Sequence, residues 1–358
     1  MALKGFHSGE DTRFPTYATR NTSSSWTKVA NQPSRWEVRS NHDFAAMGID
    51  TNLAYTGTTS VRVHSAAGGG GFCQMRRHFG ATFTESYLSL MFQVSLLQSR
   101  ILFTLTDSGG NIAVRVMSDD LGRILVYAGT TLTLKKTIVT GWGASEWHQI
   151  RMHMKPSTST LEIKLDGGNT VDCSGTTFGN WYYIQLCGTV VANSDDVWFD
   201  CFQVNDTTGS VNNSWPDTPR IPTGLHPDAD TAITDWTRSS GSNDFDMIKE
   251  LAPDLDSTYV YSNVFNEASR FDFADLAEPA NSVIIGVCLS IVGKRADDAK
   301  IVPVVSRGGS SVELTAVTLN QDYMTPTEVI IELDPITAAA WTQTNLNATT
   351  FGIKHVAP

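Results

Sequence analysis

A chain of 358 residues, 41% hydrophobic and 18% charged, is long enough for two domains with separate cores and too apolar for a disordered one. A net charge of −11 repels phosphate backbones and anionic membranes, which excludes nucleic acid as the expected partner. No apolar run approaches the roughly 20 residues needed to span a bilayer.

Residues 1–19 lack the apolar segment of a secretory signal, so synthesis and folding in a reducing cytoplasm are expected. Residues 1–40 are polar and irregular, with Trp26 and Trp36 as bulky anchors and a first strand opening near Gly5. From Tyr55 the strand signals become regular. In Gly57–Val63, Val61 and Val63 share one face and Arg62 the other, the period of a half-buried strand. Gly68–Gly71 has neither the Lys nor the following helix of a phosphate-cradling loop and reads as a loop or bulge.

Strands follow at Leu88–Val94, Ile101–Thr106, Ile112–Met117 and Ile124–Tyr127, separated by Asp/Gly-rich breaks. This is the rhythm of an antiparallel meander. Ile150, Met152 and Met154 then alternate with Arg151 and His153, and Leu161, Ile163 and Leu165 alternate with Glu162 and Lys164. Asp166-Gly167-Gly168-Asn169 supplies residues that accept positive φ, as a tight turn demands. A one-residue slip would expose the whole apolar set, so this pairing is well specified.

Trp181–Leu186 and Val197–Val204 complete a first domain over residues 1–206. In the latter strand Val197, Phe199 and Cys201 share one face, with Trp198 and Phe202 on the other. Apolar residues on both faces call for a cover, which makes Trp198 and Phe202 interface candidates. Residues 207–223 read as a Pro/Gly-rich linker. The second domain, 224–358, is expected to be β-rich, with Ser282–Val292 as a central strand and short helices at Phe245–Leu251 and Pro335–Trp341. The expected fold class is all-β: a sandwich followed by a smaller β-sandwich-like domain.

Gly57–Val63, Trp147–Met152, Leu161–Gly167 and Asp195–Asp200 together resemble the concanavalin A-like, laminin G-type jelly roll across residues 1–206. Asn213–Asp217, Asp235–Thr237 with Gly241–Asn243, Asp254–Val260, Asp334-Pro335, Trp341-Thr342 and Asn345–Asn347 resemble the module behind such jelly rolls in tailed-phage structural proteins. The resemblance implies a virion protein assembled in the host cytoplasm, whether capsid decoration, fibre or tail component. Its partners would be other virion proteins and further copies of itself, as a trimer or higher.

Laminin G-like domains often hold Ca²⁺, which takes six to eight oxygens, and Asp195, Asp196, Asp200 and Asp166 are the candidates here. No Asp-x-Asp-x-Asp-Gly loop supports a calcium site, and the expected reading has no cofactor. The paired-carboxylate strand of related glucanases is absent, as are metal-binding His spacings and a Gly-x-Ser-x-Gly elbow, so no catalytic residue is assigned. The five cysteines include no Cys-x-x-Cys pair and read as buried thiols. Aromatic rings stack on sugars, and Trp142, Trp181, Tyr182 and Tyr183 are the candidates for that role. The expected function is therefore that of a non-enzymatic structural virion component, with a receptor-recognition protein binding a host surface glycan as the alternative and a glycan-degrading enzyme ranked after it.

Overall fold

The computed structural model describes residues 3–7, 27–28, 36–40, 46–57, 60–65, 72–189, 195–216, 218–220, 223–250, 254, 256–279, 282–295, 298, 300–321, 323 and 326–358. Trp26 and the Gly68–Gly71 run lie outside them. The molecule is all-β and divides into two units, 1–222 and 223–358.

Two antiparallel sheets of eight strands build the first unit. The first sheet runs Val171–Asp172, Thr160–Leu165, His148–Lys155, Ser86–Val94, Asp195–Asp206, Ser60–Ser65, Ala46–Asp50, with Leu3–His7 also paired to Asp195–Asp206. The second runs Thr133–Val139, Arg123–Ala128, Ile112–Ser118, Arg100–Thr106, Trp181–Thr189, Phe72–Phe83, Trp36–Ser40, Thr27–Lys28. Alternate side chains of both sheets close on one shared core that includes Val63, Leu88, Leu90, Met152 and Ile163 from the first and Leu102, Val114, Val126 and Ile184 from the second. That is a two-layer sandwich.

The alternating hairpin forms in the register its apolar set requires, with Ile150 opposite Leu165, Met152 opposite Ile163 and Met154 opposite Leu161. Asp166 and Gly167 turn the chain at φ +47° and +74°. Phe72–Phe83 and Thr133–Val139 are among the strands not expected. Phe72–Phe83 is interrupted by Arg76, Arg77 and His78, and its core face carries the buried Arg77 between Met75 and Phe79. Thr133–Val139 is a largely exposed edge strand with two lysines, a composition that keeps edges from pairing with other chains.

Phe202 corrects the expected alternation. The ladder between Asp195–Asp206 and Ser86–Val94 shifts register between Asp200 and Gln203, and Cys201 sits at φ +49°. This bulge inserts an extra residue, so Phe202 turns inward with Val204 and stacks on Phe79 at 5.7 Å. Trp198 stays on the outer face, where its indole N–H donates to Asp50 at 2.9 Å and Arg62 lies over its ring. Cys201 and Cys173 are buried and Cys288 is half-buried, and burial pushes the Cys173 thiol up to about 12.

In the second unit a five-stranded antiparallel sheet runs Pro227–Thr234, Ala268–Phe273, Thr350–Val356, Lys300–Arg307, Ser310–Glu313. Its centre is the C-terminal Thr350–Val356 strand, not the Ser282–Val292 run. Only Val287–Ile291 of that run is a strand, paired with Thr327–Ile331 in a separate two-stranded sheet, and Val283 is 71% exposed. An apolar run reports burial without saying which layer receives it. Here Val287, Leu289, Val329 and Ile331 pack with Val305, Phe351 and Trp341 in one core.

The two expected helices are also corrected. Of Phe245–Leu251, residues 245–250 are described and contain one 3₁₀ turn, Phe245–Met247, whose first N–H groups are taken by Asp230 at 2.7 and 2.8 Å. Pro335–Ala338 is a turn between Leu333–Asp334 and Ala339–Ala340, because Asp334 accepts from Ile336 N–H and the Thr337 hydroxyl and so closes the chain locally. The one α-helix among the described residues is Gln343–Asn347, capped by the Thr342 hydroxyl.

Candidate functional site

Of the residues expected to meet a sugar, two are inside the protein. Trp142 is 7% exposed and packs on Phe92, and Trp181 is 1% exposed between Phe79 and Phe83. Neither can present a ring face to a ligand, so both are removed as sugar contacts.

The four candidate calcium ligands do not converge. Asp195 is buried against Arg100 and also accepts from Ser95 and from Gln98 at 2.6 Å. Asp196 is held by both arms of Arg62, at 2.6 and 2.7 Å, and by His64 at 2.9 Å. Asp200 accepts the backbone N–H groups of Tyr55, Thr56 and Cys201. Asp166 bonds to His148 and to the Gln149 N–H at 2.8 and 2.7 Å. Calcium needs free oxygens aimed at one point, and these are spent on cations and N–H donors. Among the described residues no group of three or more His, Cys, Asp or Glu is placed to hold a metal ion.

Asp196 is stabilising instead. Burial works to raise the Asp196 pKa, but the hydrogen bonds from His64 and Arg62 and the Arg62 charge hold it below 3.8. A carboxylate with a depressed folded pKa contributes stability that is present above the unfolded value and lost as pH falls through the folded one. Urea midpoints should therefore drop below about pH 4, and the drop should be smaller in Asp196→Asn than in the parent.

Tyr182 does face outward, and the structure gathers a cluster around it. The ladder between Trp181–Thr189 and Phe72–Phe83 shifts between Trp181, opposite Phe83, and Tyr183, opposite His78. The irregularity lets consecutive tyrosines gather beside one another rather than on opposite faces. The Tyr182 ring lies parallel to His78, with 6.0 Å between centroids and 4° between planes, and Tyr183 meets Tyr182 edge-on at 4.8 Å. Arg76 places its guanidinium 4.2 Å from the Tyr183 ring and donates to Glu37 at 2.5 Å. All five side chains are half-buried. Burial raises the Tyr183 pKa although Arg76 opposes it, so at neutral pH the phenol keeps its proton and can donate.

A patch of half-exposed rings flanked by a guanidinium, a carboxylate and phenols offers both kinds of contact a sugar takes: a flat apolar face and directed hydrogen bonds. His78, Arg76 and Glu37 were not expected in it. Their signal was weak, since a cross-strand cluster assembles from residues 39 to 146 positions apart only once the register is known.

The outer face of the first sheet carries a second ring cluster that closes on itself. Trp215 lies 5.7 Å from Tyr87 and 6.0 Å from His153, with Lys164 Nζ 4.5 Å from its ring. Both His153 nitrogens are bonded, to Glu162 at 2.9 Å and Glu85 at 3.0 Å. Asn205 donates to Ser214 O at 3.0 Å, so the 207–216 segment is tied to the first unit at both ends of this contact. The cluster anchors chain rather than offering a free ring.

No protein-family model and no curated protein matches the chain. Among solved structures it is similar to a sialidase, at 9% identity over 53% of this chain and 18% of that one, with a TM-score of 0.39. It is similar to the cellulose-induced protein Cip1, at 13% identity over 53% of this chain and 96% of that one, with a TM-score of 0.40. It is also similar to the exoplasmic/lumenal domain of VIP36 in its Ca²⁺/Man3GlcNAc-bound form, at 11% identity over 51% and 87%, with a TM-score of 0.38. The chain spans less than a fifth of the sialidase's length. Likeness at this level says nothing about ligand or chemistry.

Proposed function

We propose that the chain is a non-catalytic carbohydrate-binding protein that takes a glycan on the outer face of its second sheet. The observation that carries this reading is the cluster of Tyr182, Tyr183 and His78 rings beside Arg76 and Glu37. The rings supply the stacking surface, and the charged pair orients ring hydroxyls. The carboxylates of Asp195, Asp196, Asp200 and Asp334 are each committed to an arginine or to backbone N–H groups, which suits a scaffold rather than acid–base chemistry.

A glycan array tests it. The parent chain should bind a defined subset of glycans, and Tyr182→Ala should weaken that binding at least tenfold while leaving the unfolding midpoint nearly unchanged, because the ring is half exposed. An array with no signal would remove the reading, as would a Tyr182→Ala variant that binds like the parent.

A structural role in a bacteriophage particle, through contacts with other virion proteins or with further copies in a trimer or higher oligomer, is the second reading. What supports it is the apolar stretch on the second unit where Tyr261, Val264 and Phe265 are 45%, 51% and 50% exposed. Side chains of this kind suit burial against another protein. The interface argument from Phe202 no longer contributes, since that ring is in the core. Detection of the chain in purified particles, with sedimentation as an oligomer, would favour this role, and its absence from them would end it.

A further inference from the structure

The second unit holds a cavity of about 210 Å³ lined by Arg270, Ser306, Arg307, the Gly308–Gly309–Ser310 turn, Ala348 and Thr350. Its two titratable lining residues are both cations, in a chain whose net charge is −11. The two arginines are not equivalent. Arg307 pairs with the buried Asp334 at 2.6 Å and donates to Asn345 O and the Thr349 hydroxyl, both at 3.2 Å. Arg270 makes no ion pair among the described residues, and its Nε is buried without a hydrogen-bond partner.

A half-buried guanidinium with a dry, unpaired N–H is unfavourable unless something polar completes it. The surrounding backbone keeps it in place. Arg270 sits opposite Gly352, where a Cβ would come within 2.7 Å of the Arg270 Cγ, so only glycine leaves room for the arginine stem to lie across the strand. At the rim Gly308 and Gly309 make the turn at φ +57° and +82°, and a Cβ on either would meet nothing within 4 Å. The mouth is therefore open, with the Ser310 side chain exposed beside it. The Ser306 hydroxyl is fixed by Ser311 at 3.0 Å, so the wall is polar and ordered.

We propose that this cavity binds one oxyanion group, a phosphate, sulfate or carboxylate, with Arg270 as its charge partner and the Gly308–Ser310 turn as its rim. A planar fork of N–H donors suits oxyanions. Because Asp334 compensates the charge of Arg307, Arg270 is the lining cation left to meet an anion. The assignment is independent of the sugar site on the first unit.

The test is a titration of the full chain with sodium phosphate, sodium sulfate and sodium acetate in turn. Ionic strength is held constant with sodium chloride, and the amide signals of Gly308, Gly309 and Ser310 are followed by NMR. At least one anion should shift these signals saturably, and the tightest of the three identifies the source of the oxyanion as phosphoryl, sulfuryl or carboxyl. Arg270→Gln should weaken that binding at least tenfold. If Arg270→Gln does not fold, Ser310→Asp, on the exposed turn, should weaken it to the same degree by charge repulsion. No saturable shift with any of the three would overturn the assignment. So would an Arg270→Gln or, in its place, a Ser310→Asp chain that titrates like the parent.

Discussion

Trp181→Ala is expected to lower the stability of the first unit by about 3–5 kcal/mol, the range for deleting a fully buried large aromatic side chain. The indole is 1% exposed, stacks on Phe83 at 4.3 Å and meets Phe79 edge-on at 5.7 Å. It also joins the two layers, because its N–H donates at 2.9 Å to the hydroxyl of Ser86 on the opposite sheet. Removing it opens a cavity and leaves a buried hydroxyl unpaired. Trp181→Phe should lose less, since the ring surface is partly kept and the main loss is the hydrogen bond. Urea unfolding of the three chains at neutral pH measures both steps. A loss under about 1 kcal/mol in Trp181→Ala would mean that the indole is not the bridge between the layers.

A comparable effect is expected from either partner of the Arg100–Asp195 pair. The Arg100 and Asp195 side chains are 2% and 1% exposed, and burial pulls the guanidinium down to about 10 against the opposing pull of the Asp196 charge. Arg100 opens a strand of the second sheet and Asp195 opens one of the first, so the pair pins the layers at one end. Arg100 also donates to Leu96 O at 2.5 Å, and Asp195 holds Ser95 and Gln98, which fixes the intervening 95–99 turn. Deleting one partner strands a buried charge and should destabilise by about 3–5 kcal/mol, whether the variant is Asp195→Asn or Arg100→Met. Replacing both together by Arg100→Met and Asp195→Leu should recover much of that loss, because neither charge is then left alone. A double-mutant cycle in urea reads the coupling directly, and additive single effects would contradict it.

The fold was legible where one face of a strand is buried and the other is wet. Ile150–Met154 and Leu161–Leu165 announce both their period and their turn, and the observed register follows from them. Where local rules were overridden by packing, the sequence pointed elsewhere. Nothing in Asp200-Cys201-Phe202 marks a bulge, yet that one extra residue moves Phe202 from the surface to the core. The 282–292 run is apolar enough for a central strand, but the centre of the sheet went to Thr350–Val356, which carries Lys354 and His355 in its burial pattern.

The candidate site was legible in two residues, Tyr182 and Tyr183. Tyr182 could be singled out as an aromatic at a strand end, as could Trp142 and Trp181, and composition does not separate a ring that faces outward from one that is swallowed. What separates them is the irregularity after Trp181, set by how Phe79 and Phe83 fill the core on the facing strand. His78, Arg76 and Glu37 join Tyr182 only through pairing with two other strands. The Asp residues are possible oxygen ligands only through the resemblance to laminin G-like domains, whereas their partners Arg62, His64 and Arg100 lie on other strands of the sandwich.

The most direct measurement on the central claim is an NMR titration of the parent chain with a glycan selected from the array. The account requires the largest shifts at Arg76, His78, Tyr182 and Tyr183, with the Trp142 and Trp181 indole signals unmoved. Shifts confined to another surface, or no glycan that shifts any residue of this cluster, would contradict it.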